Sequence, residues 1–161
     1  MFLNLSEYDQ SMKTVYELKD KLKTDNEYVK TVQKLTLDDS RPLLGLKGAH
    51  GLFGSDEWWE NIKNGVIKSE SISGVIEECF FAGQDARWGD EVNSFILRLD
   101  NGSKLEESIY TKDKNNKKLF VPGAVVAIVY VFDELKKQPA QDGDINYSRT
   151  VLEVAVSEGE A

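Results

Sequence analysis

One histidine, one cysteine and 28 carboxylates are the residues of this 161-residue chain from which a reactive site could be built. His50 stands in a glycine-rich stretch with no Ser or Cys nucleophile predictably beside it, so local spacing offers no nucleophile–base pair. Cys79 lies in an apolar run, GVIEECFFAG, where a thiol is an inert strand residue. In that run Glu77 and Glu78 are adjacent and diverge on a strand, so the two cannot act on one bond. A carboxylate-dependent hydrolase with a pocket near His50 stays open as the alternative function, because pairing across strands is invisible in sequence. One His, one Cys and scattered acids show no metal-ligand spacing, and neither metal nor cofactor is expected. No catalytic residue is assigned.

Aromatic residues make the stronger case. Trp58 and Trp59 sit in GLKGAHGLFGSDEWWENIKNG, residues 45–65, with Phe53 just before them, and Trp88 lies among charges in the segment 84–91. Aromatic side chains dominate binding hot spots, so Phe53, Trp58, Trp59 and Trp88 are the candidate binding residues. Adjacent helical residues point about 100° apart, so one of the paired tryptophans belongs in the core and the other at its edge. Glycines 45, 48, 51 and 54 recur every third residue but match no nucleotide-binding pattern. They are read as positive-φ positions in an ordered loop.

The elements that position these residues follow from periodicity. Tyr8, Met12, Val15, Leu18 and Leu22 recur at helical spacing behind Ser6 as N-cap, predicting helices over about 6–23 and 26–36, with one bent helix as the alternative. Pro42 breaks the chain. Ser55 caps a short helix that Asn64-Gly65 stops. Strands are predicted over about 74–82, 93–100, 103–111, 124–134 and 149–157, the first at a sheet edge on account of its two glutamates. Asp100-Asn101-Gly102 is a hairpin turn. A three-residue loop with Gly102 left-handed sets Leu105 opposite Leu97, the register that builds a core. Ala124 to Phe132, nine apolar residues, is the central strand. Lys112–Lys118 reads as a mobile solvated turn, and Glu158 to Ala161 as a frayed end. The fold class is α+β: a five-stranded antiparallel, strongly curved or barrel-like sheet with the N-terminal helices packed against it. A single domain, 1–161, is expected, comprising a helical segment 1–42, the glycine-rich loop and short helix 43–65, and the sheet 74–157.

Charge narrows the partners. The net charge is −8, and residues 51–161 carry all of it, with twelve Lys/Arg against twenty Asp/Glu. An acidic surface repels phosphate backbones, so no nucleic-acid partner is expected. No apolar run reaches the length of a membrane span, and the N-terminus has no signal-peptide core. A lone cysteine suits a reducing cytoplasm. A binding or adaptor module acting on a protein or small ligand is therefore favoured over an enzyme, with homo-oligomerisation left open. An inhibitor or immunity-type protein that masks a basic enzyme fits the charge asymmetry.

The run LLGLKGAHGLFGSDEWWENI followed by SGVIEE resembles small uncharacterised bacterial proteins, including those carried on integron gene cassettes, over about residues 43–157. The resemblance implies a bacterial cytoplasmic accessory protein and carries no site residues with it.

Overall fold

The computed structural model of the chain describes residues 2–81, 92–136 and 147–159. Among them are six strands, β1 (Met12–Glu17), β2 (Lys68–Phe80), β3 (Ser94–Leu99), β4 (Lys104–Ser108), β5 (Val125–Glu134) and β6 (Tyr147–Ser157). Three helices accompany them: α1 (Leu18–Thr24), α2 (Asn26–Leu37) and α3 (Asp56–Lys63). The strands form one antiparallel sheet in the order β1-β6-β5-β2-β3-β4. It is open, with β1 and β4 at its edges, so the barrel-like closure is not formed, and there are six strands rather than five.

The sixth strand is β1, where a helix over 6–23 had been predicted. Met12, Val15, Leu18 and Leu22 are all buried, as the stripe required. The secondary structure differs because the β1–β6 register shifts between Thr14 and Tyr16, leaving Val15 as an extra residue. That bulge stretches the spacing from Met12 to Val15 to three and buries Val15 and Tyr16 consecutively, a pattern that imitates a helical face. Only the second half of the stripe is helical. Ser6 lies inside a short 3-10 turn, Leu5–Glu7, whose N-cap is Asn4.

A second bulge corrects the reading of β2. This strand is interior, between β5 and β3, not at an edge. The β2–β3 register skips Glu77, so the extra residue takes a carboxylate out of the alternation. Glu77 then meets Lys104 at 3.0 Å and Arg98 at 3.5 Å. Gly74, expected to open the strand, lies within it. A Cβ there would collide with the Arg98 carbonyl, so the neighbouring strand approaches only because the side chain is missing.

The hairpin joining β3 and β4 has the expected register, Leu97 opposite Leu105, with Gly102 at φ +84°. β5 is interior and almost wholly buried, as nine apolar residues demand. The lysine-rich segment forms a 3-10 helix, Lys114–Leu119, whose N-cap Asp113 accepts from the Asn115 amide. At the C-terminal end the Glu158 amide donates to the Ser11 carbonyl and its carboxylate accepts from the Ser11 hydroxyl, while residues 160 and 161 lie outside the described residues. In β6, Glu153 alternates with Leu152 and Val154 and is nonetheless buried. Its carboxylate accepts from the backbone amides of Phe2 at 2.7 Å and Leu3 at 3.0 Å.

Contacts cluster the chain into two compact units. The first comprises residues 1–17, 71–129 and 153–161; the second comprises 18–70 and 130–152. In the first unit, Phe95 and Phe120 stack 5.6 Å apart, and the half-buried Cys79 thiol donates to the Phe120 carbonyl. The second unit holds the three α-helices of the described residues, the glycine loop and the last residues of β5. No helix of the described residues is long and apolar enough to cross a membrane.

Candidate binding site

The second unit is assembled around α3. Ser55 caps it by accepting the Trp58 amide at 3.2 Å, with Asp56 and Glu57 in the first turn and Asn64 closing the end. Of the two tryptophans Trp58 is wholly buried and Trp59 half-buried, the 100° divergence made visible. Tyr28, Phe53, Trp58 and Trp59 form a chain of edge contacts, with centroids 5.7, 4.9 and 4.8 Å apart. Phe53 is buried, and its carbonyl accepts from the Gln33 amide of α2 at 2.8 Å. The four aromatic candidates therefore occupy different settings: Phe53 and Trp58 in the core, Trp59 at its edge, and Trp88 outside the described residues.

Glycines 45, 48, 51 and 54 all have positive φ, which suits the glycine loop to its irregular path. Gly51 shows the requirement best. A Cβ there would lie 2.8 Å from the Trp58 backbone nitrogen, so only glycine lets the loop rest on the first turn of α3. Asn61 of α3 then donates to the His50 carbonyl at 2.8 Å. The loop's other end is tied to β5, where Lys47 donates its amide to the Glu134 carbonyl and Leu46 bridges Leu135. The Lys136 ammonium donates to the carbonyls of Leu35, Asp38 and Arg41, at 2.6, 3.3 and 3.1 Å. One lysine thus caps the C-terminus of α2 and fixes the turn after it.

This arrangement brings His50 beside Asp133 and Glu134 across a cavity of about 300 Å³. Lys68, Phe132 and Tyr147 also line it, with Val66 and Ile67. Asp133 is buried, and its Oδ2 accepts from the Trp58 indole N–H at 2.9 Å. Burial pushes its carboxyl above the usual range, opposed by the Trp58 bond, the Glu134 amide and His50, and assisted by the Glu134 charge. Glu134 pairs with Lys47 at 3.2 Å, and the Lys68 ammonium sits 5.6 Å from the centroid of the Phe132 ring. Burial, with the Glu78 charge, also raises the Cys79 thiol, which is the wrong direction for a nucleophile. Among the described residues no group of three or more His, Cys, Asp or Glu could hold a metal ion.

Asp133, Glu134, Lys68 and Tyr147 were not recognised as site residues from the sequence. One signal was present, since Asp133 directly follows nine apolar residues in a strand covered on both faces. A carboxylate in that position must be buried and must find a donor.

The comparison with protein families identifies what carries this site. A model described as "Immunity protein RhsI2" matches residues 12–157, and the chain belongs to that family. The matched span opens at the first residue of β1 and closes at the last of β6, which are themselves a register pair, Met12 with Ser157. No curated protein matches the chain at a significant level. The integron gene-cassette likeness receives no support from the family, which also reaches further towards the N-terminus than the run that suggested it.

Proposed function

We propose that this chain neutralises a cognate toxin by binding it, as the family description implies. The observation that carries the reading is the family match over nearly the whole chain, 12–157. The net charge of −8 supports a basic partner, because opposite net charges accelerate encounter. The second unit supplies exposed apolar residues for a contact surface, among them Tyr28, Leu37, Leu44, Val66 and Tyr147. Of the aromatic candidates, Trp59 is the one we assign to the toxin contact, with Phe53 and Trp58 as the rigid layer beneath it. Trp88 is assigned to the same contact on sequence grounds alone.

Co-production with the cognate toxin tests the reading. Cells making the chain should survive a toxin dose that kills cells without it, and the purified pair should elute as a stoichiometric complex. Association should slow several-fold between low and physiological salt. Survival without any complex would defeat the binding reading. Trp59→Ala should weaken the complex about tenfold or more while shifting Tm by no more than about 2 °C. An unchanged affinity would remove Trp59 from the contact.

One observation favours a second reading. The cavity does join His50 to two acids, the arrangement a small carboxylate-dependent enzyme would need. Both acids are already engaged, Asp133 by the Trp58 indole and Glu134 by Lys47, which suits a binding cavity better than a general acid–base pair. Substrate turnover abolished by His50→Ala would reverse that preference.

A further inference from the structure

Asp133 poses an unusual problem for a surface cavity. The residue is only 4% exposed, yet it lines an open space of about 300 Å³. One oxygen accepts from Trp58, and the amide of the next residue also donates to it. Among the described residues, the charged and titratable groups around it bring no full counter-charge. His50 attracts weakly, Glu134 repels and is itself held by Lys47, and Lys68 is drawn to the Phe132 ring instead. Burying a carboxylate without a cation is costly, and an incoming cation would recover that cost. The walls suit a flat one, because the Phe132 and Tyr147 rings can stack on a guanidinium while the carboxylate accepts its N–H groups.

We propose that this cavity receives an arginine side chain of the toxin, with Asp133 as its acceptor and Phe132 and Tyr147 as its walls. The assignment rests on the immunity reading and deepens it: the arginine would be the specificity anchor of the complex. Arginine is among the residues most enriched at such anchors.

The test is a double-mutant cycle on the purified complex. Asp133→Asn keeps an acceptor for the Trp58 indole and removes only the charge. It should fold with an unchanged or higher Tm and bind the toxin at least about 30-fold more weakly, chiefly through faster dissociation. Replacing the exposed arginines of the toxin with glutamine, one at a time, should reveal one position that costs wild-type affinity by a similar factor and costs the Asp133→Asn complex little more. Equal affinity of Asp133→Asn and wild type, or a loss that simply adds to that of every arginine variant, overturns the assignment while leaving the immunity reading intact. Failure of the wild-type chain to bind the toxin overturns both. Should Asp133→Asn fail to fold, the scan against wild type still decides: no arginine of the toxin mattering by more than about threefold refutes the cavity.

Discussion

The two units each bury one acidic residue to the same extent, 4% exposed, and do different things with it. Glu153, in the first unit, is enclosed by the N-terminal segment and accepts from two backbone amides. Asp133, in the second, accepts from a tryptophan indole and faces a cavity. Glu153 is finished as it stands, and its charge fastens residues 2 and 3 onto β6. Asp133 meets no full counter-charge among the described residues, which makes it the better candidate for a ligand. The charge content differs as well. The first unit carries eight Lys/Arg against fifteen Asp/Glu, and the second carries twelve against thirteen. Acidity and the cavity thus belong to different units. The lesson is that long-range attraction and local recognition need not be supplied by the same residues.

The largest loss of stability is expected in the second unit. Trp58 is the most buried aromatic of the second unit and the donor to Asp133, so Trp58→Ala should cost about 3–5 kcal/mol. Denaturant melts should show the loss; a change under 1 kcal/mol would mean that α3 is not the organising element of that unit. Glu153→Ala removes the acceptor of two amides in the first unit and should cost about 1–3 kcal/mol. Hydrogen exchange at Phe2 and Leu3 should accelerate sharply in that variant. Unchanged exchange would show that the N-terminal segment is held by something other than this carboxylate.

Much of the fold was legible because apolar periodicity records burial faithfully. The central strand, the capped helix after Ser55 and the β3–β4 register were all available from spacing and turn chemistry. The two errors in the strands were bulges. Val15 and Glu77 each add one residue to a strand, and each converts a two-residue period into something else: a false helix at β1 and a false edge at β2. The bulge at Val15 leaves no mark that hydrophobicity alone can reveal, although Thr14-Val15-Tyr16 is rich in strand formers. The site was harder to foresee. His50 stood out as the single histidine, but its neighbours Asp133 and Glu134 are more than eighty residues away in sequence. The pairing of the glycine loop with the end of β5 is a tertiary fact, and Lys136, which fixes the turn after α2, gives no sign of its role in the sequence.

The smallest effect is the sharpest probe of the comparison, because it reads the charge of Asp133 alone. Burial raises the carboxyl above its ordinary value, so between the unfolded value near 3.9 and the folded one the native state holds more protons than the unfolded chain. Stability from this group is therefore fully present below about pH 3.9 and is lost as pH rises through the folded value. Asp38 has the opposite slope, since the hydroxyl and amide of Ser40 lower its carboxyl, but that exposed group is common to both proteins and cancels in a difference. Subtracting the wild-type pH–stability curve from that of Asp133→Asn should leave a step that climbs above pH 4 and then levels. At neutral pH the variant should melt about 2 °C higher than wild type. A flat difference would mean that the Trp58 indole already compensates the charge. Asp133 would then be as complete as Glu153, and the distinction between the two carboxylates would vanish.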